Sequence, residues 1–265
     1  MDQQDITLTQ KGPVATVTIC RPEQKNVLTP QVLSAMSQVI RRLIEEETAR
    51  VLIIRGQGEK VFSAGYDISL LPEGEPAPAE QEGRIASPLE EALQTLEAFP
   101  YPTIAMLNGH AFGGGCELAI TCDLRIAADH VKMGMPPVKL GMVYPYPGFR
   151  RFMRVLGFRT ALEIFLTART YDSRNCLRRG LIHEVVEARQ VTSYTSDLAE
   201  TMAGHAPLAL KGTKQALYTL AESVSLPTEK EETLQELFIN SLKSHDLKEA
   251  KQAFKEKRAP RFTGR

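Results

Sequence analysis

Three consecutive glycines, Gly113 to Gly115, stand between an apolar run, TIAML at 103–107, and the helical stretch CELAIT at 116–121. No other feature restricts the fold of this chain as much. Glycine lets the backbone take φ/ψ values closed to other residues and pass close to a neighbour. A helix that opens on such a turn aims free N–H groups and the positive end of its dipole at whatever lies ahead of it. The segment therefore asks for a strand, a tight turn and a helix in succession, the repeating unit of an α/β fold.

The rest of the chain has the same rhythm. Ile6, Leu8, Val14, Thr16 and Thr18 alternate about Lys11-Gly12-Pro13, which reads as a hairpin. Arg21 to Asn26, with Pro22, reads as a loop. Thr29-Pro30 opens a helix, with Val32, Met36, Val39 and Leu43 as its apolar stripe. VLIIR at 51–55 suits a buried strand, and VFSAG at 61–65 a second one ending in a turn. Residues 72–86, rich in Pro, Glu, Ala and Gly, read as a mobile loop or lid. Ser87-Pro88 caps a helix with Leu89, Leu93 and Leu96 facing inward. LRIAA at 124–128 and LIHEVVE at 181–187 continue the strands, with Gly157 and Gly180 placed to end helices. Beyond about residue 190 only helices are expected, at about 206–224, 229–243 and 246–257. The expected organisation is a core over 1–200 and a helical unit over 201–265. Leu234, Leu237, Phe238 and Leu242 of that unit would pack on the core or on a second subunit.

Composition narrows the function classes. Lys+Arg and Asp+Glu number 32 each in 265 residues, so no general affinity for nucleic acid or an anionic membrane is expected. Cysteines at 20, 116, 122 and 176 lack metal-finger spacing and read as reduced thiols in a cytoplasmic protein. The polar start MDQQDITLTQ has no signal-peptide pattern, and no apolar run approaches the roughly 20 residues that span a bilayer.

Two segments carry candidate chemistry. Glu117 falls three residues after Gly114, on the first turn of the helix. Spacing alone leaves two readings: a carboxylate beside an oxyanion site, or a surface Glu favourable to the helix dipole. In KVFSAGYDI at 60–68 a strand ends in Ala64-Gly65, and the peptide N–H of Tyr66 is a second candidate donor. Two donors from separate loops converging on one oxygen stabilise an enolate or a tetrahedral oxyanion. His110 reads as packed or hydrogen-bonded. His130, His183, His205 and His245 lack metal-ligand spacing, so no metal is expected. Arg150, Arg151, Arg154 and Arg159 read as a solvated helix face, with subunit contact or RNA binding as the other options. Cys116 and Cys122 read as packing residues.

RPEQKNVL at 21–28, FSAGYDI at 62–68, PTIAMLNGHAFGGGCELAITCDLRIAA at 102–128, LG at 140–141, LTARTYDSRNCLRRGLIHEVV at 166–186 and AFKEKRAPRF at 253–262 form one pattern. It resembles the enoyl-CoA hydratase/isomerase (crotonase) superfamily over nearly the whole chain. The resemblance implies a ββα spiral core with a C-terminal helical trimerisation domain, in a homotrimer or homohexamer. It implies an acyl-CoA thioester substrate, polarised by the N–H groups of Tyr66 and Gly114, with no cofactor beyond the substrate's own coenzyme A. It also implies that the backbone of Ala64 and Ile68 meets the adenine, that Arg21 and Lys25 lie near the CoA phosphates, and that Phe254 and Lys257 form tail contacts to CoA.

The chain departs from the hydratase pattern. Hydratases hold one water between two glutamates, and Glu117 matches the first. The second falls in x-P-E-x-x-x-G, which here reads MPPVKLG at 135–141, with Pro137 in place of the acid. Proline can neither transfer a proton nor hold a water through its side chain. Met142, Val143 and Tyr144 stand where dehalogenase-like members place an aspartate. KVFSAGYDISLLP, PPVKLGMVY and EKRAPRF are similar to the branch of the superfamily that decarboxylates methylmalonyl-CoA. That branch has a tyrosine at the position of Tyr144 and a histidine where this chain has Tyr66. Tyr144 also admits the plainer reading of one aromatic in a YPYP loop. The expected activity is decarboxylation of a 2-carboxyacyl-CoA, with Glu117, Tyr144, Tyr66 and Gly114 as the catalytic set. The alternatives are hydration or isomerisation of an enoyl-CoA with Glu117 as sole acid/base, or a non-catalytic acyl-CoA- or RNA-binding role.

Overall fold

The computed structural model describes residues 5–70, 87–222 and 242–261, with 232, 236, 239 and 240 between them. The expected lid at 72–86, and Leu234, Leu237 and Phe238, lie outside the described residues.

Two sheets form the core. The larger has the strand order β1 (Ile6–Lys11), β2 (Val14–Ile19), β3 (Val51–Gly56), β5 (Thr103–Leu107), β7 (Leu124–Ala128) and β10 (Glu184–Val186). Its first pair is the expected antiparallel hairpin, and the other pairings are parallel. The apolar runs explain the interior positions: Val51, Leu52, Ile54 and all five residues of β5 are buried, as a parallel strand covered on both faces requires. The smaller sheet has the order β4 (Val61–Ser63), β6 (His110–Phe112), β8 (Lys132–Gly134) and β9 (Thr170–Asp172). There β4 and β8 each pair parallel to β6, which sets two strand-to-turn corners side by side.

The helices start where the sequence caps them. α1 (Pro30–Glu46) begins with the Thr29 hydroxyl accepting from the Val32 N–H at 3.3 Å, and it buries Val32, Met36, Ile40 and Leu43, with Val39 half-buried at the stripe's edge. α2 (Pro88–Glu97) is capped by the Ser87 hydroxyl and buries Leu93 and Leu96, while Leu89 is only partly buried. α3 (Gly114–Thr121) opens on the triple glycine and is buried along its whole length. α4 (Tyr146–Thr167) is two helical stretches: the first ends at Gly157, as the sequence suggests, and a second follows directly. Gly157 takes φ 71° and ψ 164°, a glycine conformation that makes the kink between them. Gly180 behaves as expected, at φ 76° just past α5 (Ser173–Arg178). After β10 come α6 (Val191–Ala203), α7 (Pro207–Glu222) and α8 (His245–Lys255), with no further strand among the described residues. Asp123 ties α7 to the core by accepting from Lys214 Nζ at 2.8 Å, the Tyr218 hydroxyl at 2.6 Å and the Thr103 N–H at 2.7 Å.

One buried side chain fixes the loop at 21–28 against the start of β4 and the turn before it. Asn26 Oδ1 accepts from the Arg21 N–H at 3.0 Å, and Nδ2 donates to Gln57 O at 3.0 Å and Val61 O at 2.7 Å. The backbone completes the seam: Ala64 N donates to Lys25 O, Leu28 N to Gly65 O, and Asp67 N to Leu28 O.

Candidate active site

The corners after β4 and β6 meet closely enough that side chains at their glycines would not fit. A Cβ on Gly65 would stand 2.6 Å from Phe112 O and 3.0 Å from Gly114 N. One on Gly114 would stand 3.2 Å from Tyr66 N. Gly65, at φ 99°, is the residue that lets the chain turn there. Gly114 is the first residue of α3, so its N–H has no acceptor within the helix. The parallel bridge between Leu28 and Tyr66 uses the Gly65 carbonyl and the Asp67 amide, which directs the amide of Tyr66 away from Leu28. Tyr66 and Gly114 line one cleft of about 180 Å³. The two corners singled out in the sequence are therefore brought together.

Glu117 is not a surface residue. It is 3% exposed, lines the cleft, and has both oxygens engaged. Tyr144 donates its hydroxyl to Oε2 at 2.5 Å, and Arg151 Nη1 donates to Oε1 at 3.1 Å. Burial raises the Glu117 pKa above the usual carboxylate range, against the pull of Arg151 and the Tyr144 hydrogen bond. Burial, then the neighbouring Glu117, holds the Tyr144 phenol well above its ordinary value. Tyr144 is itself buried and packs at 5.6 Å, centroid to centroid, on Phe165. Much of the remaining wall is apolar: Ile68, Leu89, Pro136, Pro137, Leu140 and Met142. Pro137 is buried in that wall, so its position supplies no side-chain donor or acceptor.

The expected solvated arginine face is half wrong. Arg150 and Arg159 are exposed, but Arg151 is 4% exposed and Arg154 is half-buried. Arg151 donates to Glu90 through both terminal nitrogens, at 2.7 and 2.8 Å, and to Glu97 at 3.0 Å, besides Glu117. Arg154 donates to Glu97 at 2.6 Å and lies 4.7 Å over the Tyr218 ring. A buried guanidinium is tolerated when carboxylates surround it, and α2 supplies two from one face. A sequence signal existed: Glu90 and Glu97 are seven apart, Arg151 and Arg154 three apart, and both spacings put side chains on one helix face.

A family model described as enoyl-CoA hydratase/isomerase matches residues 9–265. The short-chain-enoyl-CoA hydratase of Clostridium acetobutylicum is 34% identical over 97% of each chain. The methylmalonyl-CoA decarboxylase of Escherichia coli is 30% identical over the full length of both. The chain belongs to the enoyl-CoA hydratase/isomerase (crotonase) family. A solved structure of methylmalonyl-CoA decarboxylase in complex with 2-nitronate-propionyl-CoA superposes with a TM-score of 0.91 at 30% identity, covering 99% of both chains. The enoyl-CoA hydratase of Bacillus anthracis superposes at 0.76, with 28% identity over 99% of this chain and 100% of that one. The two sheets and their helices are thus a crotonase ββα spiral core.

The crotonase resemblance named further residues, and this chain brings only some of them to the cleft. Ala64 and Ile68 line it. Arg21 instead turns to Asp5, 3.5 Å away, and to Thr29 and Gln24. Lys25 is exposed, in a left-handed conformation at φ 55°. Phe254, exposed on α8, and Lys257, in the turn beyond it, are not among the lining residues. Leu242, just before α8, is buried and does line the cleft. The His110 ring accepts the Lys132 N–H at 3.2 Å and stacks edge-on with Phe112, the packed role expected of it. All four cysteines are free, and Cys116 and Cys122 are buried. Among the described residues no cluster could hold a metal ion, and no helix is long and apolar enough to cross a membrane.

Gly148, in the first turn of α4, seats the Tyr144–Glu117 pair. A Cβ there would stand 2.4 Å from the Tyr144 ring and 2.9 Å from Glu117 Oε1. Gly148→Ala should displace Tyr144 and cost about 1–3 kcal/mol of stability, the usual range for overpacking. Urea denaturation checks this, and an unchanged midpoint would contradict the packing described.

Proposed function

We propose that this crotonase decarboxylates a 2-carboxyacyl-CoA thioester. The observation that carries the reading is the state of Glu117: Tyr144 occupies one oxygen, Arg151 the other, and Pro137 adds no second acid. Hydration across a double bond needs a carboxylate free to hold and deprotonate a water, usually with a second acid opposite. Decarboxylation needs neither. The substrate carboxylate on C2 meets an apolar wall that solvates it poorly. When the bond from C2 to that carboxylate breaks, CO₂ leaves and the electron pair moves into the thioester. The resulting enolate oxygen takes the N–H groups of Tyr66 and Gly114. One proton then adds to C2: in its acid form Glu117 donates to the Tyr144 oxygen, the Tyr144 hydrogen passes to C2, and the Glu117 proton replaces it on the phenol. The overall change is loss of CO₂ and gain of one proton, with no oxidant, reductant or cofactor beyond the coenzyme A of the substrate. The likeness to the Escherichia coli decarboxylase supports the reading.

A second reading is hydration or isomerisation of an enoyl-CoA by Glu117. The 34% identity to the Clostridium acetobutylicum hydratase, with a glutamate already in the cleft, favours it. We also propose that the segment 201–265 is an oligomerisation domain of a homotrimer or homohexamer. Leu208, Leu217 and Leu220 of α7 are 85%, 62% and 72% exposed in the single chain, more apolar surface than a helix facing water needs. Light scattering should give a trimer or a dimer of trimers, and a monomer at micromolar concentration would overturn that part.

Malonyl-, methylmalonyl-, ethylmalonyl- and crotonyl-CoA, incubated with the protein and read by mass spectrometry, distinguish the two reactions. At least one 2-carboxyacyl-CoA should lose CO₂, and crotonyl-CoA should gain water very slowly. Because the Glu117 pKa is raised, its acid form persists above the usual carboxylate range, and the rate should fall as pH rises through that pKa. Tyr144→Phe should lower the decarboxylation rate by about tenfold or more, each tenfold being about 1.4 kcal/mol. Brisk crotonyl-CoA hydration that is lost in Glu117→Gln and unaffected by Tyr144→Phe would replace the proposal with the second reading. No turnover of any thioester would favour a non-catalytic acyl-CoA-binding member.

A further inference from the structure

Arg151 is not among the residues lining the cleft, yet it holds one oxygen of Glu117, which lines it together with Glu90. Its Nη1 is shared between Glu117 Oε1 at 3.1 Å and Glu90 Oε2 at 2.7 Å. Its Nη2 is shared between Glu90 Oε1 at 2.8 Å and Glu97 Oε2 at 3.0 Å. The second oxygen of Glu97 is taken by Arg154. Three carboxylates, those of Glu90, Glu97 and Glu117, therefore face two guanidiniums, those of Arg151 and Arg154. The cluster holds one surplus negative charge in a poorly solvated place, and a proton on one acid relieves it. Enclosure decides which. The side chain of Glu117 is 3% exposed, against 12% for Glu90 and 21% for Glu97. Burial would raise Glu97 too, but its two guanidiniums outweigh that and hold it below the usual range, whereas Glu117 is raised.

The groups facing Glu117 can be named. From α4 and the residues before it come Arg151 and Tyr144, and from α2 comes Glu90, with Glu97 one step behind Arg151. On its own helix Cys116 is the neighbour, a buried thiol. His110 of β6 is turned to the Lys132 amide and to His130. No lysine or second arginine is hydrogen-bonded to Glu117 among the described residues. Arg151 is thus its cationic partner, and Glu90 competes for the same nitrogen.

We propose that Arg151 is a positioning residue of this site: its bond to Glu117 Oε1 fixes the carboxyl so that Oε2 meets the Tyr144 hydroxyl, and Glu90, sharing the same Nη1, sets how much of the arginine's charge Glu117 receives. The role in turnover rests on the decarboxylase reading, but the effect on Glu117 does not. Two substitutions should move Glu117 in opposite directions. Arg151→Met removes the cation and should raise the pH at which Glu117 titrates, by about one unit or more. Glu90→Gln removes a competing anion and should lower it. An arginine that only braced the fold would weaken stability without this opposition of sign.

The experiment is a pH titration of the Glu117 carboxyl by difference infrared spectroscopy on the unliganded full chain, with Glu117→Gln as the blank. Arg151→Lys, which keeps the charge without the fork, should titrate between wild type and Arg151→Met. In turnover, Arg151→Met should lower kcat about 10- to 100-fold, the scale of a misplaced catalytic group. Affinity for propionyl-CoA, which has no carboxylate to lose, should be little changed. The limb of the pH–rate profile should move with the titration. If Arg151→Met does not fold, Glu90→Gln and Arg151→Lys still decide. Glu117 titrating at the wild-type pH in the folded variants would overturn the proposal. Titration shifts as stated, with no CO₂ lost from any thioester, would retain Arg151 in its role and reject the decarboxylase reading instead.

Discussion

The site depends on the contact between two backbones. Gly65 and Gly114 let the corners after β4 and β6 approach until a single added Cβ would strike a carbonyl or an amide of the other corner. Parallel pairing of β4 with β6 sets the corners level, and Asn26 anchors the loop that backs the first of them. Backbone donors held in this way have no rotamers to lose and no solvent shell to rearrange when charge develops near them. That is the condition under which such donors are worth most.

A second constraint acts on the acid beside that contact. Glu117 is buried at the opening of α3, where the helix dipole favours its charge and burial opposes it. Burial prevails, and the surplus of carboxylates over guanidiniums behind it works in the same direction. Its oxygens are divided between a phenol and a guanidinium, so the group is suited to hold a proton for its neighbour rather than to grip a water. Where a hydratase would place a second acid, Pro137 leaves an apolar wall. On the decarboxylase reading, the chemistry of this cleft is thus set as much by what Pro137 cannot do as by what Tyr144 can.

Much of this was legible in the sequence because local rules governed it. The strands at 103–107 and 124–128, the Thr29 and Ser87 caps and the glycine corners follow from patterns of a few residues, and the structure has them where the patterns put them. Glu117 was legible as a candidate, but its burial was not, since a first-turn position fits a solvated residue equally well. Arg151 was missed because it sits in a run of four arginines, and its ion pairs with Glu90 and Glu97 of α2 are what distinguish it from the exposed Arg150. Gly157 ends one helical stretch where its position suggests, but nothing local shows that a second stretch starts directly after it. Arg21, Lys25, Phe254 and Lys257 were named by likeness to the family, and contacts that depend on a ligand or another subunit leave no trace in one chain's packing.

The central claim is that the N–H groups of Tyr66 and Gly114 polarise a thioester carbonyl. The most direct measurement is the ¹³C chemical shift of the carbonyl of [1-¹³C]propionyl-CoA, free and bound to the protein. Polarisation by two converging donors predicts a downfield shift on binding that is lost in a folded Gly114→Pro variant, which lacks one donor. A bound carbonyl resonating where the free one does, or a shift that survives Gly114→Pro intact, would contradict the account.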